Sequence, residues 1–259
     1  MLNSLFIAFS LYSILPMPRA EWSKRNMQYA LAFFPLVGLV VGGVQALWLF
    51  LGEQWALGPL LRGAGAALWP ALLSGGIHLD GFCDTCDALG SRQTRERKLE
   101  ILKDSHTGAF ALIGLVLFFT ALTGLASELR WSPAAGAALA ACFVLSRAMG
   151  GLFILTLPCA RGDGLARTFS DAAAGRRCIA VLWAVVLLAA GAAALLSPLC
   201  GVAMLAAWGL LFLWARRKIL REFGGVTGDL AGWSIQLCEL ILAGLLVVLQ
   251  KSMGEGLLL

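Results

Sequence analysis

TGAFALIGLVLFFTALTGLASEL, residues 107–129, carries one charged side chain, Glu128, in its whole length. As a helix rising about 1.5 Å per residue it is about 34 Å long, enough to cross a hydrocarbon layer about 30 Å thick. A buried helix of a soluble domain has no need of so long an unbroken apolar run. Reading outward, six more runs of this kind appear, at 29–51, 55–77, 133–157, 178–197, 199–215 and 231–249. Arg62 interrupts the second and the sixth is short, so these two have the least sharply defined ends.

The composition agrees with the runs. Of 259 residues 59% are hydrophobic and 14% charged, and the mean hydropathy is +0.83, so lipid rather than water is the expected solvent. The expected fold class is all-α: a polytopic integral membrane helical bundle of about seven transmembrane helices, with a short membrane-associated segment at Asn3 to Leu15. A single integral membrane domain over 1–259 accommodates all of it. The N-terminus lacks the basic flank and small-residue cleavage site of a signal peptide, so it is expected to be retained. Seven cysteines, an odd number scattered through apolar runs, read as small buried hydrophobes in a reducing compartment.

The charges supply the orientation. If the segment 16–28 is inside and sides alternate, the inside segments are 16–28, 78–106, 158–177 and 216–230. Sixteen of the 20 basic residues fall in them, the exceptions being Arg62, Arg130, Arg147 and Lys251. That asymmetry is the positive-inside signature and puts these segments on the cytoplasmic side of the membrane. Eleven of the 15 acidic residues lie there too. Carboxylates add nothing to a topology signal, so they point to chemistry at 78–106, 158–177 and 216–230.

Upstream of the opening run stands GGIHLDGFCDTCD, Gly75 to Asp87. Asp80, Asp84 and Asp87 are spaced four and three apart, so on a helix they share one face. Three like charges on a face repel unless a divalent cation sits among them, and hard oxygen ligands suit Mg²⁺, which takes a few carboxylates and completes its shell with water and phosphate oxygens. The alternative is a solvated helix start with acids near its positive end. His78 is open to two roles, a ligand, base or phosphate contact on one side and a hydrogen-bonded structural residue on the other. Cys83 and Cys86 form a C-x-x-C with no partner pair at ligand spacing, so they read as packing residues rather than a zinc or redox site.

Between that motif and the run lies KLEILKDSHTGAF, with Lys103, Asp104, Ser105 and His106 just ahead of a helix start. Free amides, a lysine and a hydroxyl there suit a phosphate, or else form an ordinary cap with a basic anchor. PCARGDGLARTFSDAAAGRR, Pro158 to Arg177, is a glycine-rich connector of mixed charge that either closes over a substrate or simply links helices. In REFGGVTGDLAG, Asp229 opens the last run as a ligand or as an N-cap. Arg147 and Glu239 lie within apolar runs, each eight to ten residues from the inside end. Unpaired charges at that depth cost at least a few kcal/mol, so the two are expected to pair or to line a polar cavity beneath the site.

With these motifs in hand the chain resembles the cobalamin synthase family, adenosylcobinamide-GDP ribazoletransferases. GGIHLDGFCDTCDAL is similar to the family's first signature block, KDSHTGAF to its second, and FGGVTGDLAG with the following Glu-containing helix to its third; LPMP near the N-terminus and FPLVG at Phe34 to Gly38 also fit, all in family order. Cys83 and Cys86 stand where the family is expected to have alanine or another small residue. The resemblance implies transfer of adenosylcobinamide phosphate from adenosylcobinamide-GDP to α-ribazole or its 5′-phosphate, with release of GMP, and Mg²⁺ as cofactor. Mg²⁺ would sit on Asp80, Asp84 and Asp87, with Asp104 or Asp229 as further candidates; His78, Asp84 and Lys103 are the candidate catalytic residues. Ser105, Arg147, Arg161, Asp229 and Glu239 are candidate substrate contacts. Implied partners are the two substrates, membrane lipid and other cobalamin-assembly enzymes, with no nucleic acid. Two rivals are a membrane phosphotransferase of the CDP-alcohol kind, whose DG and AR pattern is not reproduced after Asp80 and Gly81, and a cation-coupled transporter, whose site belongs nearer the membrane midplane.

Overall fold

Alternating chain direction organises the computed structural model, which describes residues 1–252; the last seven positions of the expected 1–259 domain lie outside the described residues. Twelve helices are present among the described residues, with no named strand. Six are long and apolar enough to span a membrane: α3 (Ala30–Gln54), α7 (Ala109–Glu128), α8 (Pro133–Thr156), α10 (Gly175–Leu196), α11 (Pro198–Phe223) and α12 (Gly228–Ser252). The remaining elements are α1 (Leu2–Tyr12), α2 (Lys24–Met27), α4 (Pro59–Leu73), α5 (Ile77–Gly90), α6 (Arg95–Ile101) and α9 (Leu165–Ala172). The protein is a polytopic helical membrane protein.

The run at 55–77 departs from a simple seventh span. It forms the 15-residue α4, broken at Ser74 to Gly76, after which α5 begins. Gly75 and Gly76 have φ of 63° and 78°, a left-handed pair that side-chain-bearing residues rarely adopt, so the glycines set the break. α4 packs on the far part of α7, where a Cβ on Gly63 would lie 2.3 Å from the Thr123 carbonyl oxygen. Arg62 is paired with Glu53 at 2.8 Å, so the charge inside the apolar run is matched near the end of the bundle.

α8 is the centre. In its most apolar window 83% of residues are buried, against 22% for α7 and 28% for α10, so the latter two turn most of their surface to lipid. Alanine and glycine along α8 let neighbours approach closely: a Cβ on Gly38 or Gly42 of α3 would meet the α8 backbone at 2.3 Å and 2.6 Å. With no hydrophobic force between helices in lipid, such close packing is the main source of cohesion.

α1 runs beside the first turns of α3. Asn3 bonds Asn26 at 3.3 Å, Tyr12 stacks on Phe34 at 4.0 Å, and the Ile14 amide donates to the Leu73 carbonyl at the α4 break. The segment expected at Asn3 to Leu15 is therefore an 11-residue apolar helix packed on α3, and the backbone that follows it finds a partner in the protein.

All long connections gather at one end. The Ala174 amide bonds the Gln28 carbonyl at 2.9 Å, tying the start of α10 to that of α3, and Lys98 bonds Glu222 at 2.5 Å, tying α6 to the end of α11. At the opposite end the links are short. There Gln250 and Arg130 exchange two hydrogen bonds of 3.0 Å and Lys251 pairs with Glu128.

Candidate active site

α5 crosses from α12 to α7 and carries the aspartates. A Cβ on Gly81 would stand 2.7 Å from the Cα of Asp229, so only a residue without a side chain lets α5 lie on the first turn of α12. On its other side Phe82 meets Phe118 at 5.2 Å between ring centres, and Cys86 packs on Gly114. Burial pushes the Cys86 thiol up to about 12, with Cys83 and Asp87 adding to it, which keeps it a protonated packing group.

The three aspartates diverge in role. Both oxygens of Asp87 accept backbone amides at the start of α7, from Gly108 at 2.7 Å and Ala111 at 2.9 Å. Its carboxylate thereby satisfies donors that helical geometry leaves free. Asp80 is exposed and Asp84 half-buried. The Asp84 carboxyl is pushed up to about 7 by burial first, then by the negative charges of Asp80, Asp229 and Asp87, while Arg161 draws it down. That pattern makes Asp229 the fourth member of one acidic field.

Asp229 and Arg161 arrive by a paired loop. The Val226 amide donates to Pro158 at 2.8 Å and the Ala160 amide to Val226 at 2.9 Å, so the exit of α8 is fastened to the entry of α12. Gly225 permits this, since a Cβ there would lie 2.4 Å from the Pro158 carbonyl oxygen. Arg161 then reaches Asp229 at 3.4 Å. The Thr227 hydroxyl donates to the same carboxylate at 3.1 Å and accepts the Leu230 amide at 3.3 Å. Thr227 is a residue that the sequence reading passed over, although a hydroxyl two positions before Asp229 is a recognisable cap signal.

Lys103 reaches Asp163 at 3.4 Å, and the two face a cleft of about 460 Å³ with Arg161, Gly162, Glu96, Leu99 and Glu100. Asp104 turns to its own loop, accepting from the His106 amide at 3.0 Å and contacting its ring nitrogen at 2.6 Å, and Ser105 is exposed beside it. His78 is buried, with Tyr12 and Phe34 rings 5.9 Å and 5.6 Å away and its Nε2 unpartnered. Arg147 and Glu239 are an ion pair in the bundle interior, 1% and 3% exposed. Ser146 bridges them, donating to Glu239 at 3.2 Å and accepting from Arg147 at 2.9 Å. They lie apart from the rim cleft.

Among the described residues no three acidic, imidazole or thiol groups converge closely enough to hold a metal ion as the side chains stand. The oxygen donors of Asp80, Asp84 and Asp229 nevertheless have the chemistry of a Mg²⁺ site, since that ion needs only one or two carboxylates when phosphate oxygens and water complete its shell. The mutual repulsion recorded at Asp84 is what such an ion relieves.

A family model described as cobalamin-5-phosphate synthase matches residues 4–248. The chain belongs to this family. The adenosylcobinamide-GDP ribazoletransferase of Lachnoclostridium phytofermentans is 41% identical to this chain over 251 residues, 97% of this chain and 95% of that protein. The proteins of the same name from Clostridium botulinum strain Alaska E43 and Clostridium perfringens strain 13 are 30% and 32% identical, across 92% and 90% of this chain and 94% and 92% of their own. No solved structure matches significantly. The cobalamin-5-phosphate synthase match thus covers every element that builds the rim: α5, the Pro158 to Arg161 loop and the start of α12.

Proposed function

We propose that the protein is an adenosylcobinamide-GDP ribazoletransferase, moving the adenosylcobinamide-phosphate group from adenosylcobinamide-GDP to a hydroxyl of α-ribazole or its 5′-phosphate and releasing GMP. The observation that carries this reading, beside the names of the relatives, is the close contact of α5 at Gly81 with Asp229, which brings the helix of Asp80 and Asp84 to the same end of the bundle as Asp229 and Arg161. The acceptor hydroxyl oxygen bonds to the phosphorus attached to cobinamide, the bond from that phosphorus to the oxygen of GMP breaks, and GMP leaves with the electron pair. Such a transfer depends mainly on positioning and charge neutralisation.

Asp80, Asp84 and Asp229 would hold Mg²⁺, which when bound neutralises the diphosphate and the departing GMP. Asp87 is left out, because its oxygens hold the start of α7, and so is Asp104, which is engaged with His106. Arg161 and Lys103 orient phosphate oxygens, with the exposed Ser105 hydroxyl next to Lys103 in the chain. A rim carboxylate, Asp84 among them, takes the proton of the attacking hydroxyl. His78 is enclosed by aromatic rings and serves packing rather than proton transfer. The rim faces the cytoplasm of the inner membrane, as its basic residues favour.

Purified protein in nanodiscs, given adenosylcobinamide-GDP and α-ribazole, tests this. Turnover that disappears on chelation and in Asp84→Asn is the expected result. Turnover indifferent to both sinks the metal assignment, and its absence in the wild type with Mg²⁺ sinks the activity.

A further inference from the structure

The cleft of about 460 Å³ beside the acidic field has two unlike ends. Glu96, Leu99 and Glu100 line it from one face of α6, at spacings of three and four from the first, and Lys103 lines it from the turn just past the end of that helix, its amide bonded to the Glu100 carbonyl. Carrying the helical rise through that turn, Glu96 to Lys103 spans about 10 Å, comparable with the reach of a nucleoside monophosphate from base to phosphate. The Lys103 end also holds Arg161, which touches Asp229 and therefore borders the reacting phosphates. Asp163 also lies at that end as the partner of Lys103, leaving one net positive charge there, while the Glu96–Glu100 end holds two acids and an apolar side chain and no basic lining residue.

Phosphate belongs at the cationic end, which leaves the base at the acidic one. A guanine presents two parallel donors on one edge, N1–H and the 2-amino group, and a carboxylate accepts both at once. Adenine presents an acceptor at N1 and hypoxanthine lacks the 2-amine. Of the two glutamates, Glu96 is engaged at the start of α6 by its own backbone and Thr94. Among the described residues Glu100, which is exposed, is bonded through Oε2 alone, to Arg97 at 2.7 Å, so that Arg97 holds the carboxylate by one oxygen. Leu99, half-buried beside it, offers an apolar surface for the ring.

Resting on the activity proposed above, we infer that Glu100 reads the guanine of the GDP moiety, with Leu99 beneath the ring and Lys103 and Arg161 holding the phosphates. Glu100 is a specificity residue remote from the bond that breaks. Its loss weakens nucleotide binding alike in ground and transition states, raising KM with little change in kcat.

The test is binding of GMP, IMP and AMP to the purified full chain in nanodiscs, by calorimetry, for wild type, Glu100→Gln and Glu21→Gln, with turnover of adenosylcobinamide-GDP measured alongside. Wild type and Glu21→Gln should bind GMP at least about fivefold more tightly than IMP or AMP, the low end for one bidentate base contact. Glu100→Gln should lose that preference, bind AMP as before and show a raised KM. Because Glu100 is exposed, folding is not at stake, and the wild-type preference needs no variant. Equal binding of the three nucleotides by the wild type, or an unchanged preference in Glu100→Gln, overturns this inference while normal turnover leaves the activity standing. Absence of both turnover and GMP binding overturns the two together.

Discussion

Replacing Glu239 by Leu would leave the Arg147 guanidinium, 1% exposed, with the Ser146 hydroxyl and the Phe143 ring 5.4 Å away as its remaining company. Arg147 Nε and Glu239 Oε2 are already without hydrogen-bond partners, so no second acceptor stands ready. Breaking a buried pair by removing one member costs about 3–5 kcal/mol, about a fifth or more of the stability of a typical domain. Arg147→Met should cost a similar amount through the stranded carboxylate. The pair Arg147→Met with Glu239→Leu removes both charges at nearly constant volume, and should fall between neutral and about 1–4 kcal/mol more stable than the wild type. Titration with SDS in mixed micelles, followed by tryptophan fluorescence, gives the four values of a double-mutant cycle. Singles costing under about 1 kcal/mol, or a double as damaged as the two singles combined, would refute the reasoning. Turnover by the double variant then decides between two roles. Normal KM assigns the pair to holding α8 on α12, whereas a stable protein with a steeply raised KM restores the substrate contact expected from the sequence.

Gly81→Ala forces a methyl against the Asp229 backbone and should cost about 1–3 kcal/mol, with kcat falling further than stability because Asp84 and Asp229 are driven apart; kinetics and melting together check it. Asp87→Ala removes two amide acceptors from α7, so about 1 kcal/mol of stability should go, while the midpoint of Mg²⁺ activation stays where it was. With chelator present, Asp84 holds its proton up to about 7 against an ordinary 3.8. The folded state thus binds more protons than the unfolded one between those values, and stability falls as pH rises through that window. Asp84→Asn should flatten the melting profile across it, and an unchanged slope counts against the acidic field.

Sequence alone carried the spans well because an apolar run of some twenty residues has few other uses in a protein. It was weakest where backbone conformation intervened. Gly75 and Gly76 break the second run into α4 and α5, and two adjacent glycines say little until their φ values are known. Helical spacing likewise treated Asp80, Asp84 and Asp87 as equals. What separates them is tertiary: the start of α7 lies over Asp87 and the start of α12 beside Gly81. Arg147 and Glu239 were easier, since equal depth from one end is countable along the chain and the structure joins them. Glu100 had no signal of its own, and only the cleft between α6 and the Arg161 loop singles it out.

The contact of Gly81 with Asp229 also constrains how the molecule comes into being. Translation delivers the aspartates of α5 early, yet Asp229 opens α12, the last helix among the described residues, so a nascent chain halted before α12 holds Asp80 and Asp84, already backed by α7, without Asp229. A chain without α12 thus carries two of the three proposed magnesium ligands and waits on the last described helix for the third.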